Sequence, residues 1–425
     1  LDKGSEAYRN YTGCGNTINA NHPVVRELIV LCLRHWVHTY HIDGFRFDLA
    51  SILSRDQNGE ILTNPPVIEA ITEDPMLADT KIIAEAWDAA GAYQVGTFAT
   101  LRWAEWNGRY RDDVRRYWRG DANQTGNLAT RLAGSSDLYA GERRQPYHSI
   151  NFITSHDGFT LNDLVCYEHK HNEANTENNN DGDNNNFSCN YGVEGPTDNE
   201  AIELLRTKQI RNMLSTLFLS QGVPMLLAGD ECRRTQKGNN NAYCQDNEIS
   251  WFDWKLTIEH ADLVQFTTAL IHHRLRNPTL RRRTFLKGGS SSNGTFPDVE
   301  WFSSDGTHVD WFSGDVSLAC FFGAPTPRRL IDEHNPTAGG LTGTPQHVLI
   351  FCNAGTEKRE FLFPSSPLLQ EMLWEVCVDT SQLLSTRRSH QPSGFNPSEP
   401  VILAERSLLC LLAPGSRKPA KRLDS

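Results

Sequence analysis

The octapeptide IDGFRFDL at residues 42–49 alternates apolar and polar side chains, which is the pattern of a β-strand. Because side chains on a strand point alternately to opposite faces, Phe45 and Phe47 share one face while Arg46 and Asp48 share the other. One face is then apolar, and the opposite face carries an ion pair. Two interpretations stay open for these residues alone: a surface strand with its ion pair in water, or a strand whose polar face forms a site.

Helical and strand patterns alternate through the first 280 residues. The first helix is predicted at residues 21–40, with Asn21 as N-cap, Pro23 in the first turn, and apolar side chains at near-helical spacing at Val24, Leu28, Leu31, Cys32 and Trp36. Later apolar runs predict strands at 80–85, 102–107, 148–157 and 222–231, and helices at 65–75, 110–118, 199–220 and 259–276. Strands that alternate with helices are typical of βα units around a parallel sheet, so the fold class is α/β.

The pattern changes from about residue 296 to short apolar runs separated by Gly and Pro, and strong helical periodicity disappears. This change predicts a separate antiparallel β-sandwich domain. The segment GGSSSNG at 288–294 has the composition of a flexible linker before that domain. We therefore expect two domains, at residues 1–287 and 288–425.

Charged side chains recur at the carboxyl ends of the predicted strands. In barrels of parallel strands, active sites are built at that end. A single carboxylate in such a position is usually a helix cap or one half of a loop ion pair, but several at equivalent positions indicate a site. These side chains are Asp48, Glu85, His156 with Asp157, and Asp230 with Glu231.

The composition excludes several classes of partner. The chain has 425 residues, with 52 acidic against 41 basic side chains and a formal net charge of -11. Its basic clusters are few and short, RKPAKR near the C-terminus among them, which argues against nucleic acid or an anionic membrane as the main partner. A neutral or cationic ligand fits better. No apolar run approaches the roughly 20 residues that span a bilayer.

No motif indicates a metal or a cofactor. The ten cysteines lack C-x-x-C spacing and read as reduced, mostly buried thiols rather than a disulfide framework or a zinc site. The glycine and serine motifs of nucleotide-binding proteins and α/β-hydrolases are missing. His35, His38 and His41 are spaced by three, and we expect them to line a solvated helix edge.

The segment 172–190 is rich in Asn, Asp and Gly. It lacks the distal Glu of an EF-hand loop, which makes calcium binding a weak interpretation, and disorder is another. We prefer a polar loop that hydrogen-bonds a hydroxyl-rich ligand.

The carboxylates, together with Arg, His and aromatic side chains, match the needs of glycosidic bond cleavage. That reaction uses one carboxylate as nucleophile and a second as general acid and base, about 5 Å apart in a retaining enzyme. Arg46 is expected to hold Asp48 ionised. The apolar neighbours of Glu85 predict a raised pKa, which suits the acid. Asp157, with His156, is expected to stabilise positive charge on the sugar.

Tryptophans provide the flat apolar faces on which sugar rings stack. Trp87 and Trp106 are the substrate-binding candidates of this type. For each tryptophan, an ordinary place in the hydrophobic core is at least as good an interpretation.

Three segments resemble conserved regions of the α-amylase superfamily (glycoside hydrolase family 13). They are GFRFDLAS at 44–51, IIAEAWD at 82–88 and NFITSHDGFTLNDLV at 151–165. Further stretches, among them YTGCGNTINANHPVV and LLAGDECRRTQKGNNNAYCQDNEISWFDW, are similar to isoamylase-type starch and glycogen debranching enzymes.

This resemblance implies hydrolysis of α-1,6 branch linkages in starch, amylopectin, glycogen or limit dextrin. It gives Asp48 the role of nucleophile, Glu85 that of general acid and base, and Asp157 that of transition-state stabiliser. Arg46 and His156 match the supporting arginine and histidine of the family. No cofactor is implied.

The resemblance also implies a (β/α)8 TIM barrel, of which residues 1–287 hold only strands 4 to 8 and their helices. The first conserved region is absent, so we expect an N-terminally truncated fragment that aggregates or is inactive alone. A plastid stroma is implied for a plant or algal source and the cytoplasm otherwise. The resemblance leaves open homo- or hetero-oligomers with other isoamylase subunits.

Two alternative functions remain. One is another glucan hydrolase or a branching enzyme of the same superfamily, since these share the three acids. The other is a non-catalytic glucan-binding subunit, which the presence of all three acids makes the weaker alternative.

Overall fold

A computed structural model describes residues 7–99, 101–289, 296–325, 343–382 and 395–415. The chain divides into two compact units. The first consists of Leu1–Arg109 and Ser135–Asn151, and the second of Tyr110–Gly134 and Phe152–Ser425. The predicted linker at 288–294 falls largely outside the described residues, and the predicted domain boundary at 287 stays a prediction.

The predicted helices and strands have counterparts in the predicted order, and the described residues add five short α-helices that the periodicity did not predict. The helices are α1 Pro23–Tyr40, α2 Pro66–Glu73, α3 Gly108–Arg119, α4 Thr125–Leu132, α5 Ser136–Tyr139, α6 Leu161–Cys166, α7 Glu200–Leu219, α8 Leu256–Glu259, α9 Ala261–Arg276 and α10 Pro367–Gln370. The strands are β1 Gly44–Phe47, β2 Lys81–Ala84, β3 Trp103–Trp106, β4 Ser149–Asn151, β5 Val223–Pro224, β6 Val299–Phe302, β7 Ser317–Phe322, β8 Gln346–Asn353, β9 Arg359–Phe361, β10 Glu375–Asp379, β11 Val401–Leu403 and β12 Ser407–Pro414. In the described part of the chain, no helix combines the length and the apolar character needed to cross a bilayer.

The first unit contains parallel strands in the order β1-β2-β3-β4. Phe47 pairs with Ala84, Ala84 with Glu105, and Trp106 with Ile150, so the carboxyl ends of these strands lie at one edge. Phe45 and Phe47 pack against a core formed with α1 and α2, as the alternation of residues 42–49 predicts. The parallel arrangement is thereby confirmed for this unit.

The N-cap of helix α1 is His22, one residue after the predicted N-cap Asn21. The His22 side chain accepts a hydrogen bond from the Val24 amide at 3.3 Å and caps the helix, so Asn21 is not the N-cap. The Asn21 amide instead donates to the carbonyls of Leu53 and Arg55, both at 2.9 Å. Asn21 therefore joins the helix start to a distant loop, which local sequence rules do not reveal.

The apolar stripe of α1 does not face the core of the unit. Val30 and Leu33 are the buried residues of this helix. The predicted stripe at Val24, Leu28, Leu31 and Trp36 is 46–68% exposed. The segment is helical as its spacing predicts. The helix has apolar residues on two faces, and the sequence pattern alone does not show which face packs against the rest of the unit.

Two strands are much shorter than predicted. Only Ser149–Asn151 of the run 148–157, and only Val223–Pro224 of the run 222–231, have strand geometry. Gly229 adopts a left-handed φ of 101°, and residues 230–232 form a tight turn. Residues 148–155 are buried although most of them lie outside strand geometry, whereas the run 222–231 is largely half-buried and Val223 is exposed.

The second unit packs helices and an antiparallel sheet around a shared core. The sheet has the order β10-β12-β8-β7-β6, and β9 pairs with β11 in a small second sheet. One face of the larger sheet packs with α3, α7 and α9, and the other packs with β9 and β11. The predicted antiparallel strands of the C-terminal region are therefore confirmed in the described ranges.

A buried ion pair secures β3 in the first unit. Arg144 Nη1 lies 2.6 Å from Glu105 Oε1, and neither side chain is exposed. Arg144 also donates to the Trp103 carbonyl at 2.9 Å, and the Gly96 amide donates to Glu105 at 2.5 Å. Burial raises the pKa of Glu105, an effect that Arg144 opposes.

We expect Arg144→Met to lower the free energy of unfolding by about 3 to 5 kcal/mol, because it leaves the Glu105 carboxylate buried without its partner. Urea unfolding followed by tryptophan fluorescence at pH 7 measures this change. Lys237→Met, which removes an exposed ion pair with Glu248, serves as control and should leave the transition unchanged. An Arg144→Met transition that coincides with the wild type would contradict this role of the buried pair.

Candidate active site

The ends of β1 and β2 are tied together by backbone hydrogen bonds. The Glu85 amide donates to the Phe47 carbonyl at 3.1 Å, and the Ala50 amide donates to the Glu85 carbonyl at 2.7 Å. Leu49 lies between these two bonds in a left-handed conformation, with φ 40° and ψ 49°. This conformation is costly for a leucine and turns the chain sharply after Asp48. Asp48 and Glu85 therefore follow the carboxyl ends of neighbouring strands.

The Arg46 guanidinium contacts both of these carboxylates. Arg46 Nη1 donates to Asp48 Oδ1 at 2.9 Å, and Nη2 donates to Glu85 Oε2 at 2.8 Å. The guanidinium carbon also lies 4.1 Å from the centroid of the Trp106 ring. A planar guanidinium can bind two carboxylates and stack on an aromatic face at once, which a lysine cannot do. The structure thus brings four of the predicted residues together in the first unit.

The two carboxylates differ sharply in their environment. The Asp48 side chain is 69% exposed, whereas that of Glu85 is only 4% exposed. Glu85 Oε2 accepts a second hydrogen bond, from the Leu49 amide at 2.8 Å. Glu85 Oε2 is therefore held by two donors, Arg46 and the Leu49 amide. Asp48 is accessible to a ligand, and the predicted raised pKa of Glu85 stays a prediction.

The two predicted tryptophans occupy different surroundings. Trp106 is buried beneath Arg46 and fixes the plane of the guanidinium. Trp87 is half-buried and stacks on Tyr93, with 6.2 Å between ring centroids and 12° between ring planes. Contact with substrate stays a prediction for both residues. The observed contact of Trp106 is with the arginine of the site.

His156 and Asp157 lie together on an exposed loop of the second unit. His156 Nε2 is 3.5 Å from Asp157 Oδ2. The loop is held at its end by the Gly158 amide, which donates to the Asn240 carbonyl at 2.9 Å, with Gly158 at a φ of 102°. The exposed side chains of His156 and Asp157 therefore project from a loop whose backbone is held by the hydrogen bond from Gly158 to Asn240.

Asp230 is the buried anchor of the same loop. One of its carboxylate oxygens accepts from the Thr154 hydroxyl, and the other accepts from the Leu161 amide at 2.9 Å. Burial raises the pKa of Asp230 to about 6, although both hydrogen bonds oppose the increase. Asp230 thus joins the two ends of the segment that carries Asp157, a role its position at a predicted strand end did not reveal.

The Asn-rich segment folds into a network of amides with residues 239–241. The Asn172 side-chain amide donates to Asn240 Oδ1 at 2.8 Å, and the Asn240 backbone N–H donates to Asn172 Oδ1 at 2.9 Å. Asn175 and Asn239 donate to each other through their side-chain amides, at 3.5 Å and 2.9 Å. All four side chains are buried. These amides are occupied within the protein, so the predicted role in binding hydroxyl groups does not apply to them.

Three contacts of polar groups in the first unit were not predicted from the sequence. Arg55 Nη2 lies 2.6 Å from the fully buried side chain of Asp88, and the Arg55 guanidinium lies 4.1 Å from the Tyr11 ring centroid. The Leu49 amide, which donates to Glu85, was also missed. Asp88 stands in the segment IIAEAWD and could have been noted, but nothing in the sequence marks a leucine as left-handed.

Within the described ranges, no group of three or more His, Cys, Asp or Glu side chains could hold a metal ion.

Comparisons with known proteins find close relatives over part of their length. The rice protein named isoamylase 3, chloroplastic, is 52% identical over 383 residues, which is 90% of this chain and 45% of that protein. The GlgX homologue of the glycogen operon of Mycobacterium tuberculosis is 45% identical over 387 residues, covering 90% of this chain and 52% of the relative. The chain thus spans about half the length of the curated relatives it matches. No protein-family model matches it.

Solved structures extend the comparison to the fold. A pullulanase from Bacillus acidopullulyticus aligns with a TM-score of 0.66 over 96% of this chain and 42% of that protein, at 20% identity. At that identity the similarity concerns the fold alone.

We expect Asp230→Asn to change the pH dependence of stability. The folded pKa of about 6 lies above the ordinary value of 3.8. The folded protein therefore binds more protons than the unfolded chain between these values, and the contribution of Asp230 to stability falls as pH rises through 6. Asparagine does not titrate, so the free energy of unfolding of the variant should rise by about 2.4 kcal/mol relative to that of the wild type between pH 4 and pH 7.

Urea unfolding at both pH values measures this difference. Asp198→Asn, an exposed carboxylate of the same unit, is the control. A constant difference between Asp230→Asn and the wild type would show that Asp230 does not titrate in this range.

Proposed function

We propose that this chain belongs to the isoamylase-type debranching enzymes of the α-amylase superfamily and carries residues that hydrolyse α-1,6 branch linkages in starch, amylopectin or glycogen. The observation that carries the proposal is the contact of Arg46 with both Asp48 and Glu85 at the ends of neighbouring parallel strands. One guanidinium that contacts two carboxylates keeps them near each other, which suits a retaining glycosidase, in which the two carboxyl groups lie about 5 Å apart.

The difference in exposure supports the assignment of roles. Asp48 is open to solvent and paired with a cation, which suits a nucleophile that must be ionised when it attacks the anomeric carbon. Glu85 is buried, which suits a group that must take and release a proton. In the first step Glu85 would protonate the leaving oxygen while Asp48 forms the glycosyl ester. In the second step Glu85 would remove a proton from water, which then attacks the ester.

The contacts of Glu85 bear on the first step. Oε2 accepts from both Arg46 and the Leu49 amide. The proton needed for catalysis would reside on Oε1, or it would reach Oε2 after Arg46 shifts fully to Asp48 when substrate binds. Asp157 as transition-state stabiliser and His156 as a substrate contact are assigned by resemblance alone. Trp87 and Trp106 complete the proposed substrate-binding residues.

The finer architecture is also a proposal. The parallel strands β1 to β4 and the strand β5 correspond in order and spacing to strands 4 to 8 of a (β/α)8 barrel. The similarity in fold to a pullulanase supports this correspondence. On this view the barrel residues end near 287 and the antiparallel C-terminal domain begins at 288.

The relatives suggest where such an enzyme would work and on what. We propose a branched α-glucan as the partner. We propose the plastid for a plant or algal source, following the rice relative named chloroplastic, and the cytoplasm for a bacterial one. Association with other isoamylase subunits remains part of the proposal.

We expect Asp48→Asn and Glu85→Gln each to lower debranching activity by at least about 10³-fold, since each removes a group that acts in bond cleavage. The experiment uses the full natural polypeptide that contains this chain. It measures linear chains released from amylopectin by chain-length analysis and reducing-end assay. Asp79→Asn, an exposed carboxylate in the same unit, is the matched control and should retain full activity.

The same assay separates the alternatives. A branching enzyme would alter chain lengths without new reducing ends, and a binding subunit would retain amylopectin on a gel without releasing chains. Normal debranching by Asp48→Asn would overturn the proposed nucleophile.

We expect Arg46→Met to reduce kcat by about 10² to 10³-fold, because both carboxylates lose the group that orients them. Arg46→Lys should recover little of this loss, since a single ammonium cannot bond two carboxylates and stack on Trp106. Kinetics on amylopectin measure both variants, with the exposed Lys81→Met as control. Full kcat in Arg46→Met would mean that the bridge has no part in catalysis.

A further inference from the structure

A group of titratable side chains lies in the second unit, within the core that the helices share with the antiparallel sheet. Cys377 belongs to β10, Cys410 to the neighbouring strand β12, and His273 to α9. A cavity of about 320 Å³ is lined in part by His272, His273, Arg276 and Cys377. None of these residues has a part in the proposed glucan chemistry, and the inference below does not depend on it.

A β-bulge brings the two cysteines together. Val376 pairs with Leu411 and Val378 pairs with Cys410, with a register shift between them. Cys377 is therefore the extra residue of the bulge, and a bulge sets two residues of one strand opposite a single residue of the other. Val378 and Cys410 are buried in the core shared with the helices, and Cys377 packs against that core. Both thiols lie on the face of the sheet that α9 covers.

The surroundings of Cys377 differ from those of the other buried thiols. Burial raises the pKa of Cys166 and Cys232 to about 11. At Cys377 the hydrogen bond with the Cys410 thiol, followed by the interaction with His273, lowers the pKa to about 5 against the effect of burial. The pKa of His273 is raised in turn by Cys377, again against burial.

His273 and Cys377 interact directly. A hydrogen bond between the two side chains and the charge of His273 both lower the pKa of Cys377, and the same hydrogen bond raises the pKa of His273. Cys377 is also half-buried, whereas Cys410 is fully buried behind it.

These features are those of a redox-reactive cysteine with a resolving partner: thiolate character, access from a cavity and a second thiol within reach. We propose that Cys377 reacts with a small disulfide such as oxidised glutathione in this cavity, and that Cys410 resolves the mixed disulfide to a Cys377–Cys410 bond. The cationic Arg276 on the cavity wall suits the carboxylates of such a molecule.

The chemistry balances in two exchange steps. The Cys377 thiolate attacks one sulfur of oxidised glutathione, the glutathione S–S bond breaks, and one glutathione thiolate leaves and takes up a proton. Cys410 then loses its proton to solvent, and its sulfur attacks the Cys377 sulfur. The second glutathione thiolate leaves and is protonated. Two protein thiols are oxidised to one disulfide, and one oxidised glutathione is reduced to two thiols.

The new bond would have a defined structural effect. β10 is an edge strand of the sheet, paired only with β12 among the described strands. A Cys377–Cys410 bond would fasten this edge strand covalently to its neighbour and close the chain between them into a loop. We therefore expect the oxidised protein to have a higher Tm than the reduced protein.

The first test is the rate of alkylation by iodoacetamide, resolved by peptide mass spectrometry on the natural polypeptide that contains this chain. At pH 6 Cys377 should react about tenfold faster than a free cysteine, the gain in thiolate exceeding the loss of nucleophilicity. Its rate should change little between pH 6.5 and 8, whereas an ordinary thiol gains about tenfold per pH unit over most of that range. The exposed Cys244 is the internal reference. A Cys377 that reacts no faster than Cys244 at pH 6 would overturn the proposal.

The second test is incubation of the reduced protein with oxidised glutathione. A loss of about 2 Da and a cross-linked peptide containing Cys377 and Cys410 are expected. Cys410→Ala should instead retain glutathione on Cys377, and Cys377→Ala should form neither product. Cys244→Ala is the control and should behave as the wild type. Absence of the cross-linked peptide, or glutathione on Cys410 in place of Cys377, would contradict the proposed order of attack.

Discussion

One guanidinium and two carboxylates at the ends of β1 and β2 constrain the chemistry of the first unit. Arg46 can contact Asp48 and Glu85 at once only because both strands end at the same edge and because Leu49 turns the chain immediately after Asp48. Trp106, from β3, fixes the plane of the guanidinium. Three parallel strands therefore determine the position of a single charged group, and this group orients the two proposed catalytic acids. The left-handed conformation of Leu49 costs free energy, and backbone strain of this kind often occurs at functional sites.

The second unit uses buried polar groups for a similar purpose. Asp230 holds Thr154 and Leu161 on either side of the exposed pair His156 and Asp157, and the Asn240 carbonyl holds Gly158. Asn240 is itself fixed by Asn172 in the amide network. A network of satisfied buried amides is rigid, because each member that loses its partner has a large desolvation penalty. Asn172 and Asn175 of the Asn-rich segment thus contribute to holding the loop, and ligand contacts by the rest of the segment stay a prediction.

Much of the fold and part of the site could be predicted from the sequence. Period-two and near-helical patterns located most elements, and the parallel order of β1 to β4 followed from their alternation with helices. The relatives named as isoamylase and glycogen debranching enzyme confirm the family resemblance that the conserved segments carried. Predictions failed where tertiary contacts decide the backbone. The runs 148–157 and 222–231 contain much less strand than their apolar patterns predict, and Asp230 joins the turns of both through Thr154 and Leu161.

The sequence by itself determined which side chains stand at the strand ends, because the two-residue period of a strand fixes the face of each residue locally. That is why Arg46 and Asp48 were expected side by side. Only the tertiary structure decided that Glu85 is buried while Asp48 is exposed, that the covered face of α1 carries Val30 and Leu33, and that His273 approaches Cys377 across a bulge opposite Cys410. These features join residues tens to a hundred positions apart. Their geometry depends on how whole elements pack, and local periodicity carries no information about that.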